Sequence, residues 1–172
     1  ARLQRDDSTK EDVLEQFATM TLGSGGAAMV LGKASVHGGH RFRGGVSRAA
    51  TQHKQLCMGD LDFMRTDSRG LLEAGVALAR DAWDDAQSQF SWSDLDTYIL
   101  HQVSKVHNAA LIAALGIDPT KVPTTFPLHG NIGPASVPFT LAQSVDDLSS
   151  GDRIACMGIG SGLNAAVIEI DW

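Results

Sequence analysis

The sequence has few of the features that mark nucleic-acid-binding or membrane-spanning proteins. Its 14 basic residues are outnumbered by 20 acidic ones, which gives a formal net charge of −6. An acidic chain without a cluster of lysine and arginine is a poor candidate for binding nucleic acid. No apolar run approaches the roughly 20 residues that a membrane-spanning helix needs. With 43% hydrophobic and 20% charged residues among 172, the composition is instead typical of one soluble globular domain.

Cysteine is also scarce, and the two present do not predict a catalytic thiol. So few cysteines in a domain of this size are more often free thiols than a disulfide, which indicates a reducing compartment such as the cytoplasm. Cys156 lies in an apolar run and is predicted to be a buried core side chain. Cys57 has no helix N-terminus or glycine turn that would activate its thiol. His37 and His40 flank a glycine pair without an acidic or cysteine partner nearby in sequence, so a metal site is not favoured.

The spacing of apolar residues predicts an α/β chain in which helices alternate with buried strands. Helices are predicted over 9–19, 68–87, 104–115 and 134–148, with Ser68 and Ser104 as N-caps and Gly116 ending the third. Strands are predicted over 27–35, 41–50, 97–100, 152–158 and 163–171, with a hairpin turn at Gly38-Gly39 and a loop over 51–68. This order predicts a mixed five-stranded sheet, largely buried and covered by helices.

Two short motifs carry most of the chemical information. The pair His101-Gln102 ends the apolar strand 97–100, and the segment 129–136, HGNIGPAS, contains Asn131 just before a predicted helix. A histidine at a strand end and an asparagine at a helix start can both point N–H groups at one carbonyl oxygen. We therefore expect the two side chains to converge, an arrangement that suits an enolate or a tetrahedral oxyanion. A glycine-rich elbow, GIGSG at 158–162, lies between the last two strands.

These motifs together resemble the C-terminal half of a thiolase-superfamily condensing enzyme. The resemblance is nearest to ketoacyl synthase III and to the acyl-CoA condensing enzyme of long-chain olefin biosynthesis, and it covers nearly the whole chain. It implies one half of the five-layered thiolase fold, whose active site is built from a cysteine, a histidine and an asparagine.

The resemblance also assigns roles to individual residues. His101 and Asn131 match the catalytic histidine and asparagine, with His101 donating from Nε2 to the thioester carbonyl. The backbone N–H of Ser161 is expected to complete an oxyanion hole with the amide of the nucleophilic cysteine. Substrate-binding positions are expected at Ser104, Gly130 and Gly160.

Three departures distinguish the branches of the family. In ketoacyl synthase III the helix after the His-Gln pair usually carries an asparagine that contacts pantetheine and an arginine that helps to dock acyl carrier protein. This chain has Ser104 and Val106 at those positions, and Val106 cannot pair with an acidic carrier-protein helix. Ser161 stands where many ketoacyl synthases III have glycine. All three favour the olefin-biosynthesis branch, with acyl-CoA as both substrates.

The resemblance therefore implies an acyltransferase that joins two acyl thioesters by Claisen condensation to give a β-ketoacyl product. It needs no cofactor apart from the coenzyme A thioesters that are its substrates. Two alternatives stay open. One is a ketoacyl synthase III of fatty acid synthesis, which condenses acyl-CoA with malonyl carrier protein and releases CO₂. The other is a non-catalytic half that only dimerises or scaffolds a partner.

The nucleophilic cysteine of this family lies in the N-terminal half of a protein about twice this length. We therefore expect the chain to be a fragment or a natural half-length subunit, inactive alone, whose partner is that N-terminal half. The complete protein is expected to be a homodimer. Exposed apolar surface recruits partners, and the predicted helix 134–148 offers such a face through Ala135, Val137, Leu141 and Val145.

Overall fold

A mixed four-stranded sheet with helices on both faces forms the centre of the computed structural model, which describes residues 7–59, 64–92 and 94–172. The helices are α1 (Lys10–Glu15), α2 (Phe17–Met20), α3 (Ala34–His37), α4 (Ser68–Phe90), α5 (Lys105–Leu115), α6 (Phe126–His129) and α7 (Ser136–Gln143). The strands are β1 (Arg41–Ala49), β2 (Cys57–Gly59), β3 (Met64–Thr66), β4 (Thr97–Leu100), β5 (Arg153–Gly160) and β6 (Asn164–Asp171). Strands β2 and β3 form a separate antiparallel hairpin.

The central sheet has the strand order β1-β6-β5-β4, in which β4 and β5 are parallel and the other neighbours antiparallel. Side chains of a strand alternate between the two faces of its sheet. In β5, Ala155 and Met157 pack into the core formed with α4 and α5, whereas Ile154 and Cys156 pack into the core formed with α7. The sheet is therefore covered on both faces at β5, as the nearly continuous apolar sequence of this strand predicts, whereas the edge strand β1 is largely exposed.

Helix α4 confirms the prediction of a long helix after residue 68, although its N-cap is Asp67 and not Ser68. The Asp67 carboxylate accepts from the backbone N–H of Gly70 at 2.9 Å. On the buried face the indole ring of Trp83 packs against Trp92 and Tyr98, with ring centroids 5.6 and 5.9 Å apart. These contacts fix α4 on the sheet. None of the helices in the described part of the chain is long and apolar enough to cross a membrane.

The predicted first strand, 27–35, is wrong. Residues 23–33 have no regular secondary structure, and α3 follows at Ala34. The side chains of Val30 and Leu31 are 100% and 84% exposed, so this apolar run is not a core strand within the chain. The sheet consequently has four strands and not five. Gly38-Gly39 does not close a hairpin, because β1 pairs with β6 instead.

Two other predictions need correction. The segment 51–68 is not a loop throughout, since it contains the hairpin of β2 and β3 in which Cys57 pairs with Thr66. Helix 134–148 is divided into a 3₁₀ turn, α7 and a second 3₁₀ turn. Its apolar side chains do not face outward as a set, because Ala135 and Leu141 are buried and Val137 packs against the sheet core, which leaves only Val145 exposed. An amphipathic pattern indicates that the apolar face of a helix is buried, but it does not identify the element that packs against that face.

The cysteines are both free thiols. Cys156 is 3% exposed within the sheet core, which confirms its predicted structural place. Burial raises the pKa of its thiol to about 12. A thiol that stays protonated at neutral pH is a poor nucleophile.

Candidate active site

A cavity of about 440 Å³ lies beside the carboxyl ends of β4 and β5. The two strands are parallel, so their carboxyl ends meet at the same edge of the sheet, where ligand sites of α/β proteins commonly lie. Helices α2, α4 and α5 and the β2–β3 hairpin supply a mainly apolar wall. The cavity wall includes five of the residues that the sequence singled out, namely His101, Ser104, Asn131, Gly160 and Ser161.

His101 directly follows β4 and extends its pairing, since its backbone N–H donates to the carbonyl of Met157 at 2.9 Å. Burial, followed by the charge of His107, lowers the pKa of His101 from 6.5 to about 4. The imidazole is therefore neutral at pH 7, with one ring nitrogen as donor and the other as acceptor. His101 also lines a second cavity, of about 330 Å³, together with Ser47 and Gly158.

The side chain of Asn131 is held in one orientation. Its Oδ1 accepts a hydrogen bond from the backbone N–H of Gly133 at 3.0 Å. The Nδ2 group, with its two hydrogens, is thus the part of the carboxamide left to donate to a ligand. A second N–H donor facing a carbonyl oxygen is the arrangement that stabilises charge developing on that oxygen.

Gly130 has a different place from the other predicted substrate-binding residues. Among the described residues it does not contribute to the cavity wall, and its φ of 66° lies in the left-handed region. A Cβ at Gly130 would lie 2.7 Å from the carbonyl oxygen of Thr21. That oxygen accepts from the Asn131 N–H, and the Asn131 carbonyl accepts from Gly23, both at 2.9 Å. Gly130 therefore allows two backbone segments to meet and so positions Asn131.

The glycine elbow confirms the prediction of a tight turn between antiparallel strands. Ser161 follows β5, and its carbonyl accepts from the Asn164 Nδ2 at 3.3 Å. Gly162 has a φ of 142°, and a Cβ there would collide with the Asn164 amide nitrogen. Leu163 exchanges two backbone hydrogen bonds with Ala50. This turn is fixed on both sides and brings Ser161 into the cavity wall.

Gln102 has a structural role that sequence reasoning missed. It is fully buried, its backbone N–H donates to Ser136 Oγ at 2.7 Å, and its Nε2 donates to the carbonyl of Leu100 at 2.9 Å. Its Oε1 accepts from the backbone N–H of Thr125 at 3.1 Å. The side chain thus ties the end of β4 to α7 and to the segment leading to Asn131. The available signal was a polar residue directly after a fully apolar strand.

Helix α5 brings two more polar residues to the cavity. His107 is half-buried in the cavity wall, and burial lowers its pKa. Ser104 caps the helix by accepting from the His107 N–H at 3.3 Å, as predicted, and its Oγ lies 2.9 Å from His107 Nδ1. Asn108, which follows, also lines the cavity and is 4% exposed. Two adjacent polar residues ahead of the apolar run 109–115 were the signal that sequence reasoning overlooked.

The structure also shows the surroundings of the other cysteine and histidine residues that drew attention in the sequence. Cys57 is on β2 and reaches the cavity wall, with its Sγ 3.7 Å from Thr66 Oγ1. The ring of His129 packs edge-on against Phe139 with centroids 4.8 Å apart, next to the loop that carries Asn131. The ring of His40 stacks on Trp172. Over 7–59, 64–92 and 94–172, no group of three His, Cys, Asp or Glu residues is placed to hold a metal ion.

Known proteins are similar to this chain in sequence and fold. Residues 86–172 match the family model of the 3-oxoacyl-[acyl-carrier-protein (ACP)] synthase III C terminal. The chain is 46% identical over 176 residues to an acyl-CoA:acyl-CoA alkyltransferase of Xanthomonas campestris pv. campestris, with 99% of this chain and 52% of that protein covered. It is 36% identical over 183 residues to a protein of the same name from Shewanella oneidensis, with 96% and 52% covered.

The same likeness holds in three dimensions. A crystal structure of a Xanthomonas campestris OleA variant with bound lauric acid and lauroyl-CoA superposes with a TM-score of 0.96 at 45% identity. The match covers 99% of this chain and 52% of that one. The chain thus spans about half the length of the relatives that it matches.

Proposed function

Because the chain belongs to the 3-oxoacyl-[acyl-carrier-protein] synthase III C-terminal family of thiolase-like condensing enzymes, we propose that it works as the C-terminal half of an acyl-CoA:acyl-CoA condensing enzyme. The observation that carries the proposal is the pairing of a neutral His101 with the oriented amide of Asn131 in one cavity wall. The product of the complete protein is a β-ketoacyl thioester.

In the proposed reaction, a cysteine outside this chain first accepts an acyl group from acyl-CoA as a thioester, and coenzyme A leaves. A general base takes the α-proton of a second acyl-CoA, and the resulting enolate carbon attacks the acyl carbonyl. A carbon–carbon bond forms, the carbon–sulfur bond of the enzyme thioester breaks, and the departing cysteine thiolate takes up a proton. His101 and Asn131 donate to the enolate oxygen, where charge appears only as the reaction proceeds. The Ser161 N–H contributes to the oxyanion hole for the tetrahedral intermediate.

The two cavities support a reaction between two acyl groups. They share part of their walls, formed by His101, Gly133, Pro134 and Ile159. A condensation needs two substrates to meet at one reactive centre in a defined orientation. Two mainly apolar cavities that adjoin at His101 satisfy this requirement better than a single cavity does.

Coenzyme A is favoured over acyl carrier protein as the carrier of both acyl groups. Val106 is 66% exposed at the position where ketoacyl synthase III usually has an arginine, so this helix start lacks the side chain that meets an acidic partner there. The chain is itself acidic, with a net charge of −6, which opposes association with an acidic protein. A cytoplasmic location, where free thiols persist, agrees with the two free cysteines.

Exposed apolar side chains support a protein partner, which we propose to be the N-terminal half that carries the cysteine. They are concentrated on the segment before β1, at Val13, Leu14, Phe17, Met20, Leu22, Met29, Val30, Leu31 and Val36. A contiguous apolar surface of more than a few hundred Å² usually marks an interaction site. Phe17 and Leu22 also line the main cavity, so a partner bound here would close it. We further propose that the complete protein is a homodimer.

The test is reconstitution. We suggest co-expressing this chain with the part of the Xanthomonas campestris relative that it does not cover, and measuring products by mass spectrometry. A β-ketoacyl-CoA from lauroyl-CoA alone, lost in His101→Ala and Asn131→Ala, is the expected result. Product formed only with malonyl carrier protein, with release of CO₂, identifies a ketoacyl synthase III instead. A stable complex without either product identifies a scaffold and overturns the proposal.

A further inference from the structure

Asn108 is an incompletely bonded polar group in the wall of the main cavity. It is 4% exposed, and neither its Oδ1 nor its Nδ2 has a hydrogen-bond partner among the described residues. Buried polar side chains nearly always have such partners, and an exception calls for a physical reason. Trp83 Nε1 is the other donor without a partner in the described part of the chain, but Trp83 does not line the cavity. Of these two residues, only Asn108 lies where a ligand can supply the missing hydrogen-bond partners.

The neighbours of Asn108 on α5 are already bonded to each other. Ser104 accepts from the His107 N–H and its Oγ lies 2.9 Å from His107 Nδ1. The wall supplied by α4 is apolar and includes Leu71, Leu72 and Val76. Because both Oδ1 and Nδ2 of Asn108 lack partners, one ligand group satisfies both atoms only if it can both donate and accept.

Of the groups in an acyl-CoA, a secondary amide meets this requirement well. The thioester only accepts, and the acyl chain does neither. The amide nearest the sulfur is separated from it by two methylenes. Asn108 lies one helical turn, about 6 Å, beyond Ser104 at the start of α5. His101, Ser104 and Asn108 line the same cavity, so a thioester held near His101 directs its amide along this wall toward Asn108.

We propose that the Asn108 carboxamide binds the amide nearest the sulfur of the pantetheine arm and makes the enzyme selective for thioesters that carry it. This inference rests on the proposed function, since it takes acyl-CoA as the substrate. A site built to hydrogen-bond a substrate group discriminates strongly against an analogue that lacks it. Asn108 is thus a specificity-determining residue and takes no part in the chemical step.

The kinetic test uses the reconstituted protein and two lauroyl thioesters. Lauroyl-N-acetylcysteamine carries the amide, and lauroyl S-pentyl thioester replaces it with methylenes. We expect Asn108→Leu to lower kcat/KM at least tenfold for the first and less than twofold for the second, mainly through KM. Asn108→Asp, which keeps the size but loses the donors, is expected to show the same selectivity.

Gln87→Leu, which removes an exposed carboxamide from α4, serves as the control and should change kcat/KM for neither thioester. Equal losses on both thioesters would mean that Asn108 acts only in folding, and no loss would mean that it does not meet substrate; either result overturns the inference.

A binding measurement separates this inference from the proposed reaction. In the ¹⁵N-labelled chain, the Asn108 side-chain NH₂ signals, assigned with Asn108→Asp, are followed during titration with pantetheine and with 1-pentanethiol. We expect these signals to shift with pantetheine and to stay in place with 1-pentanethiol. This readout needs no condensing activity. A shift without catalysis therefore supports the binding role of Asn108 and contradicts the proposed condensation. Signals that do not respond to pantetheine reject the inference whatever the enzyme does.

Discussion

Asn131 Oδ1 accepts a hydrogen bond from the Gly133 N–H at 3.0 Å, which leaves the amide hydrogens of Asn131 as its free donors. The backbone of Asn131 is held as firmly, through its bonds to Thr21 and Gly23. The carboxamide is therefore oriented before any substrate arrives, and it lies in the same cavity wall as His101. Preorganised donors of this kind are the main source of electrostatic catalysis in acyl transfer.

Replacing Asn131 with aspartate tests this orientation directly. The carboxylate of Asn131→Asp can still accept from the Gly133 N–H, so the turn is kept, but it offers no donor to the substrate. We expect kcat of the reconstituted enzyme to fall by about 10²–10³, the usual cost of losing one oxyanion donor. Thermal unfolding is the control, and an unchanged melting temperature with an unchanged kcat would exclude Asn131 from the chemistry.

The buried imidazole of His101 makes stability depend on pH. In the folded chain its pKa is lowered to about 4, first by burial and then by the charge of His107, whereas in the unfolded chain it is near 6.5. Between these values the unfolded chain binds more protons, so the free energy of unfolding rises as pH increases from 4 to 6.5. From pH 5 to 6.5 this amounts to about 2 kcal/mol. Urea unfolding at both pH values should show this slope, reduced in His101→Gln; equal slopes for the two proteins would contradict it.

We predict that the main effect of Gln102 is on the stability of the fold and not on activity. Gln102→Leu removes the bonds to the buried Leu100 carbonyl and to the partly buried Thr125 N–H. Each unpaired buried group costs about 1–3 kcal/mol, so we expect a loss of roughly 2–4 kcal/mol in the free energy of unfolding. Urea denaturation measures it, and Gln143→Leu on the exposed side of α7 is the matched control. A loss no larger than that of the control would mean that the side-chain hydrogen bonds of Gln102 do not stabilise the fold.

Local patterns predicted the parts of the fold that depend on neighbours in sequence. Helix α5 begins at its Ser104 cap and ends at Gly116 because both are short-range signals. The segment 27–35 has the composition of a buried strand, yet its burial depends on what packs against it, which the sequence does not state. His101 and Asn131 line one cavity, whereas the convergence of their polar atoms on one oxygen stays a prediction. Gln102, His107 and Asn108 were missed because their importance comes from three-dimensional contacts.

The chain by itself is predicted to lack condensing activity, and neither cysteine is expected to accept an acyl group. Burial raises the pKa of the Cys156 thiol to about 12, so the nucleophilic thiolate is scarce at pH 7. Cys57 reaches the cavity from a strand and not from a helix N-terminus. Intact-mass spectrometry after incubation with lauroyl-CoA should show no adduct, with iodoacetamide labelling as a check on thiol access. A stable acyl adduct on Cys57 would make it a candidate nucleophile and remove the need for a second half.

The final prediction concerns the apolar surface before β1. Val30 and Leu31 are 100% and 84% exposed and add nothing to the core of this chain, so replacing both with serine should leave its free energy of unfolding within about 0.5 kcal/mol. If that surface binds the N-terminal half, the same change removes two apolar side chains from the interface, each worth about 1.5–3 kcal/mol when fully buried. We therefore expect Val30→Ser with Leu31→Ser to weaken the complex at least a hundredfold in sedimentation experiments. The control is Val145→Ser, which changes an exposed apolar side chain after α7. Equal binding by both variants would assign the partner to another face. A wild-type chain that stays a monodisperse monomer and never associates would contradict the predicted interface.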